Sequence, residues 1–195
     1  MKKNNRILIG THNKGKFKEI SYLLPKNFIK ISPLQLNINS PKETGKTFIQ
    51  NADLKASYFF KKTKLTCISD DSGLSIKALK GQPGIHSARF AKKNGGFFKA
   101  MKIILKRLRN HNDRRATFIC ALSLKTNKKK KFNVLGKVEG KISFKILGKN
   151  GFGYDPIFIP NGKTITFGQM AKKKKMKTDH RFIAFNKLRK KISIL

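Results

Sequence analysis

The sequence predicts an α/β fold, a mixed central β-sheet flanked by helices, and three observations carry that expectation. Strand-like and helix-like segments alternate early in the chain, the middle is rich in strands, and no internal repeat or long linker interrupts the pattern. With 38% apolar residues and sixteen Phe, the 195-residue chain can bury a core in spite of a formal charge of +37. That length suits a single domain over residues 1–195, or two lobes sharing a core.

Residues 6–10 read as a first buried strand through Ile7, Leu8 and Ile9, and residues 11–16 as a loop leading into a helix that ends near Leu24. A short strand follows at 29–32, then a loop over 40–46 that contains Pro41 and Gly45 and carries Glu43. Thr47 has the chemistry of an N-cap for a helix to about Lys62, with Phe48, Ala52, Ala56 and Phe59 on one face. Strands at 66–69 and 74–79 bracket the paired acids Asp70 and Asp71, which fall at a turn. Residues 81–87 read as a loop and 96–110 as a helix through Phe97, Met101, Ile104, Leu105 and Leu108. Apolar residues alternate at period two from Ala116 to Leu124, and 132–142 reads as a further strand with a bend or bulge at its glycines. A glycine-rich loop over 148–155 precedes an apolar Ile157 Phe158 Ile159, and a last helix capped by Asp179 runs through Leu188.

Composition narrows the function classes. The apolar run at residues 7–9 is too short for a signal peptide or a membrane span, so a cytoplasmic protein is expected. Cys67 and Cys120 lie in strand-like apolar runs and read as buried thiols; no zinc spacing is present. Of the forty-six cations thirty-eight are Lys, whereas base readout and bidentate phosphate contacts favour Arg. The runs at 128–131 and 172–175 therefore read as solvated surface, and specific nucleic-acid binding is not expected.

Only nine residues are acidic, so each carboxylate is informative. Asp70 and Asp71 either bind a hard divalent cation, which takes one or two carboxylates plus water and substrate oxygens, or form an Asx turn. Glu43 is either a second metal ligand or base for water, or a surface carboxylate. Thr11, Asn13, Lys14, Gly15 and Lys16 stand where a helix begins, and amides there point at anions. Lys55 could reach phosphate. In Gly151 Phe152 Gly153 Tyr154 Asp155 Pro156 the glycines permit close backbone approach, and Asp155 can accept from ring N–H groups. The rings of Phe152 and Tyr154 either stack on a base or fill a core. Asp179 His180 Arg181 offers donors for a keto oxygen or phosphate, or simply a capped helix.

Taken in order, Thr11 x Asn13 x x Lys16 x x Glu19, Glu43 Thr44 Gly45, Asn51 Ala52 x Leu54 Lys55 Ala56, Asp70 Asp71 Ser72 Gly73 Leu74, Pro83 Gly84 Ile85 x Ser87 Ala88 Arg89, residues 151–158 and His180 Arg181 resemble the Ham1/inosine triphosphatase family. The likeness spans residues 6 to about 190. It implies a cytosolic, dimeric, magnesium-dependent enzyme with two lobes and an active-site cleft between them, hydrolysing ITP, dITP and XTP to the monophosphate and pyrophosphate. By matching position, Thr11, His12, Asn13, Lys14, Gly15, Lys16 and Lys55 would hold the triphosphate. Glu43 and Asp71 would serve the metal, with Asp70 a further possibility, and Asp71 would be the base. Ser72 would touch the nucleotide, while Phe152, Gly153, Tyr154, Asp155, Lys175, His180 and Arg181 would form the base pocket.

The chain departs from the family pattern at His86, where Tyr is usual, at Gln169, where Glu is usual, and at Asp179, where Ser is usual. Lysines at 172–174 replace acids, so Lys175 is placed by counting back from His180.

Overall fold

Ile7, Leu8 and Ile9 are fully buried, and their alternation sets the layers of the first half of the fold. They belong to strand β1, Arg6–Ile9, in a computed structural model that describes residues 5–126 and 130–192. Lys128 and Lys129, part of the lysine run at 128–131, lie outside the described residues. The remaining strands are β2 (Ile29–Ile31), β3 (Thr66–Ile76), β4 (Arg115–Lys125), β5 (Lys131–Ile142) and β6 (Phe158–Pro160). They form one six-stranded sheet in the order β2-β1-β3-β4-β5-β6. β1 runs parallel to both β2 and β3, whereas β5 and β6 are antiparallel, so the sheet is mixed as expected.

The helices are α1 (Lys14–Leu23), α2 (Phe48–Thr63), α3 (Ser87–Lys93), α4 (Phe97–Arg107), α5 (Lys172–Lys175) and α6 (His180–Ile192). The chain divides into two compact units, one of residues 1–71, 120–136 and 181–195, the other of 72–119 and 137–180. In the first, Ile7, Ile9 and Ile68 pack with Ile20 and Leu24 of α1 and with Ala184, Phe185 and Leu188 of α6. Leu8 and Cys67 point the other way, towards Phe59 of α2. In the second unit Leu74, Ile76, Ala116 and Phe118 pack against Ala100, Met101 and Ile104 of α4, with Phe158 and Phe167 completing the core.

Local chemistry explains the helix starts. Asn13 caps α1 by accepting from the Lys16 amide at 3.0 Å, so the helix begins at Lys14, inside the stretch expected as loop. Thr47 and Gln50 form a reciprocal capping box on α2, which extends one residue past the expected end. Residues 84–86 form a 3₁₀ turn leading into α3, where the sequence suggested only loop. The Ser87 hydroxyl ties that turn down, donating to the Gly84 carbonyl and accepting from the Leu74 amide. A Cβ on Gly140 would lie 2.2 Å from the Ile159 carbonyl oxygen, so this glycine serves the close approach of β6.

The largest correction concerns Asp70 and Asp71. They do not sit at a turn between two strands: β3 runs unbroken through both, and a 3₁₀ turn over Lys77–Leu79 follows it. Helices cover both strand faces and bring a cation to each carboxylate, which removes the cost that makes acids rare inside strands.

Candidate active site

Six of the nine acids are gathered two by two around three buried cations. Glu43 and Asp71 meet Lys55; Glu19 and Asp70 meet Arg181; Asp155 and Asp179 meet Lys175.

The first group lies in the first unit, between the 40–46 loop, α2 and β3. Lys55 Nζ donates to Glu43 Oε1 at 2.5 Å and to Asp71 Oδ1 at 3.2 Å. Asn51, one turn earlier on α2 and fully buried, donates through Nδ2 to Asp71 Oδ2 at 3.3 Å and accepts the Gly45 amide at 2.8 Å. Asn51 thereby fixes both the carboxylate and the loop that brings Glu43. Burial disfavours charge on Asp71 and outweighs the pull of Lys55 and Lys16, while Glu43 and Asp70 push further, so its pKa is raised. Burial also works against the Lys55 ammonium, but Asp71, Asp70 and Glu43 more than offset it and its pKa is raised as well.

The second group uses the opposite face of β3. Arg181 Nη2 donates to Asp70 Oδ2 at 3.1 Å, its Nη1 donates to Glu19, and Lys16 Nζ lies 3.2 Å from Asp70 Oδ1. Burial opposes ionisation of Asp70, yet Lys16, Arg181 and Lys55 prevail and hold its carboxyl well below the usual range. Asp70 is fully buried, with its oxygens facing α1 and α6. Arg181, expected in a base pocket, commits both terminal nitrogens to carboxylates of the first unit.

Ahead of α1, Thr11 Oγ1 accepts the Asn13 amide at 3.2 Å and shapes the turn that presents the helix N-terminus. Lys14 is exposed there and Lys16 half-buried. His12 is a tether: Nε2 lies 3.0 Å from the Ile38 carbonyl and Nδ1 2.6 Å from Ser40 Oγ.

The third group lies in the second unit. Lys175, 2% exposed, places Nζ 2.9 Å from Asp155 Oδ2 and 3.6 Å from Asp179 Oδ2. The same ammonium lies 5.1 Å from the centre of the Phe152 ring. Asp155 Oδ2 also accepts the Phe152 amide at 2.8 Å. Gly151 adopts φ +75°, and a Cβ there would lie 2.0 Å from Asp155 Oδ2, so only glycine allows this turn. His180 stacks on Phe118 at 4.7 Å and 6°. Tyr154 is a core residue: it is buried, meets Phe97 edge-on, and donates its hydroxyl to the Ser87 carbonyl at 2.9 Å. Its ring does not offer a stacking face. Ser72 is half-buried on β3.

Glu19 and Asn51 were quoted within motifs but given no role. Glu19 was readable from its place beside Ile20 on the buried face of α1, because an acid there needs a buried cation. Asn51 sits one helical turn before Lys55, on the same side of α2.

Among the described residues no cluster of three or more His, Cys, Asp or Glu forms a protein cage for a metal. The Glu43 and Asp71 oxygens converge on one positive centre, a donor set that suits a hard divalent cation taking its other ligands from water and phosphate.

A helix N-terminus with lysines, next to a strand whose acids are held by buried cations, has the chemistry to bind phosphate. A model described as the Ham1 family matches residues 7–191, and the chain belongs to that family. It is 42% identical over 186 residues to a dITP/XTP pyrophosphatase of Caulobacter vibrioides, covering 94% of this chain and 96% of that protein. The solved structure of the Staphylococcus aureus Ham1 protein is similar, with a TM-score of 0.86 and 36% identity over 96% of this chain and 98% of that one. A HAM1 protein from Coxiella burnetii has a TM-score of 0.87 at 32% identity over 97% and 99% of the two chains.

Proposed function

We propose that this protein hydrolyses deaminated purine nucleoside triphosphates, ITP, dITP and XTP, to the nucleoside monophosphate and pyrophosphate. The observation that carries the reading is the Glu43–Lys55–Asp71 group: two carboxylates and an ammonium fixed by Asn51, with Asp71 more basic than an ordinary aspartate. Membership in a family whose relatives are named dITP/XTP pyrophosphatases supports the substrate class.

In this mechanism the α1 amides after Asn13, with Thr11, Lys14 and Lys16, bind triphosphate oxygens. His12 holds that turn in shape. Asp71 orients a water and takes its proton as the water oxygen bonds to a phosphorus of the α–β anhydride. The bond to the bridging oxygen breaks, and pyrophosphate leaves with the electron pair. Lys55 keeps Asp71 and Glu43 from repelling each other and offsets charge on the phosphates. A magnesium ion bound by Glu43 and Asp71 would neutralise phosphate oxygens and help align the water. Asp70 acts from behind, keeping Lys16 and Arg181 in place.

For base recognition, Phe152 offers a ring to the purine, Gly153 lets the backbone approach, and Lys175, positioned by Asp155 and Asp179, donates to the 6-keto oxygen. His180 and Ser72 line the nucleotide. An adenine amino group would meet that ammonium donor to donor, which disfavours ATP. The reading includes a homodimeric assembly and a cytoplasmic setting. No described helix is long and apolar enough to cross a membrane.

A nucleotide panel tests the proposal. With magnesium present, pyrophosphate release from dITP and XTP should exceed that from dATP and dGTP; equal rates on all four would remove the assigned specificity.

A further inference from the structure

The charge of this chain has an uneven chemical setting, and one patch combines it with held aromatic rings. A cavity of about 410 Å³ in the second unit is lined by Lys102, Leu105, Lys106, Arg109, Arg114 and Phe144, with no acid among them. Phe144 is 81% exposed, unusual for so large an apolar ring. It is not loose surface: Arg114 lies 4.3 Å from its centroid, and that guanidinium is fixed by three backbone carbonyls. Nε donates to Ile142 at 2.8 Å, Nη1 to Leu108 at 3.1 Å and Nη2 to Ser143 at 2.7 Å. A buried cation thus holds a ring outward. A second exposed ring lies on α4, where Phe98 is 57% exposed and the exposed Lys102 places Nζ 4.7 Å from its centroid.

We propose that this patch binds single-stranded nucleic acid without sequence preference, its bases stacking on Phe144 and Phe98 and its phosphates meeting Lys102, Lys106 and Arg109. Exposed rings packed against cations, beside a cavity with no carboxylate in its lining, match a strand with unstacked bases and a charged backbone. A duplex hides its base faces, and an acidic peptide would leave the rings without purpose. A second copy is disfavoured because an isologous contact would set this cationic lining against itself on a chain of formal charge +37. The site shares no residue with the proposed hydrolytic groups and does not depend on that assignment.

The test is fluorescence anisotropy of a labelled oligothymidylate with the full chain across a salt series. Three phosphate contacts predict a log–log slope of about −2. Phe144→Ala should weaken binding by roughly tenfold or more with the slope unchanged, since one stacked base is lost. Combined Lys102→Ala, Lys106→Ala and Arg109→Ala should flatten the slope, and neither variant should alter dITP hydrolysis. Polyphosphate, which has charge but no bases, should bind wild type and Phe144→Ala alike. Equal oligothymidylate binding by wild type and Phe144→Ala would reduce the patch to charge alone and overturn the proposal. So would tighter binding of duplex than of single strand, or a dimer that Phe144→Ala converts to monomer in sedimentation.

Discussion

Asp70 and Asp71 are consecutive in the chain and serve opposite faces of one strand: Asp70 accepts from Arg181 at 3.1 Å, and Asp71 from Lys55 at 3.2 Å. The period of two along β3 gives each carboxylate its own surroundings, and the surroundings give them different acidities. Asp70 is held ionised as an internal counter-ion, whereas Asp71 is made more basic.

Removing the Asp70 charge should cost stability. Asp70→Asn leaves Arg181 and Lys16 short of a buried counter-ion and should destabilise by about 3–5 kcal/mol, read from urea unfolding. The pH dependence has a definite sign. The folded-state pKa is depressed, so the contribution is fully present above the unfolded value near about 4 and is lost as pH falls towards the folded one. Wild type should therefore lose its advantage over Asp70→Asn in acid; a constant difference from neutral pH to strong acid would contradict this.

Glu43 should be read out by metal demand. Glu43→Gln removes one of two carboxylates on the Lys55 centre and should raise the magnesium concentration for half-maximal rate by about tenfold or more, with little change in thermal stability. An unchanged magnesium titration would take Glu43 out of the metal set.

The turn before Asp155 should tolerate no side chain at Gly151. Gly151→Ala adds left-handed strain of about 1–2 kcal/mol and drives a methyl into the Asp155 carboxylate. A raised KM for dITP and a lowered Tm are expected. Wild-type values for both would show that the turn does not position Lys175.

How much of this was legible beforehand varies by residue. The N-cap Thr47 and the strand alternation of Ala116–Leu124 are local signals, and they placed α2 and β4 correctly, whereas the cap at Asn13 and the start of α1 at Lys14 fell in a stretch read as loop. The continuity of β3 was not legible, because adjacent acids read locally as a turn and only distant Lys16, Lys55 and Arg181 make a strand tolerable. The family resemblance gave Glu43 and Asp71 to a metal and Lys55 to phosphate; that Lys55 bonds both carboxylates and that Asn51 locks them rests on contacts distant in sequence. The buried bonds of Arg181 to Asp70 and of Tyr154 to the Ser87 carbonyl were not legible, because a donor or a ring in a local motif gives no sign of a partner distant in the chain.

The two cysteines should be inert in the native state. Burial pushes the Cys67 thiol up to about 12, against weaker opposing bonds from Ser69 and the Gly10 amide, and both cysteines are buried and outside any disulfide. Iodoacetamide should modify neither until the chain is unfolded, checked by intact mass; rapid native labelling would contradict the packing around β3.

The division between Asp70 and Asp71 is tested most directly by pyrophosphate release from dITP in the Asp71→Asn variant, with dITP binding and Tm measured on the same sample. The account predicts kcat lower by about 10²–10⁴, with the fold and nucleotide binding retained. Turnover at the wild-type rate would contradict it and remove Asp71 as the base.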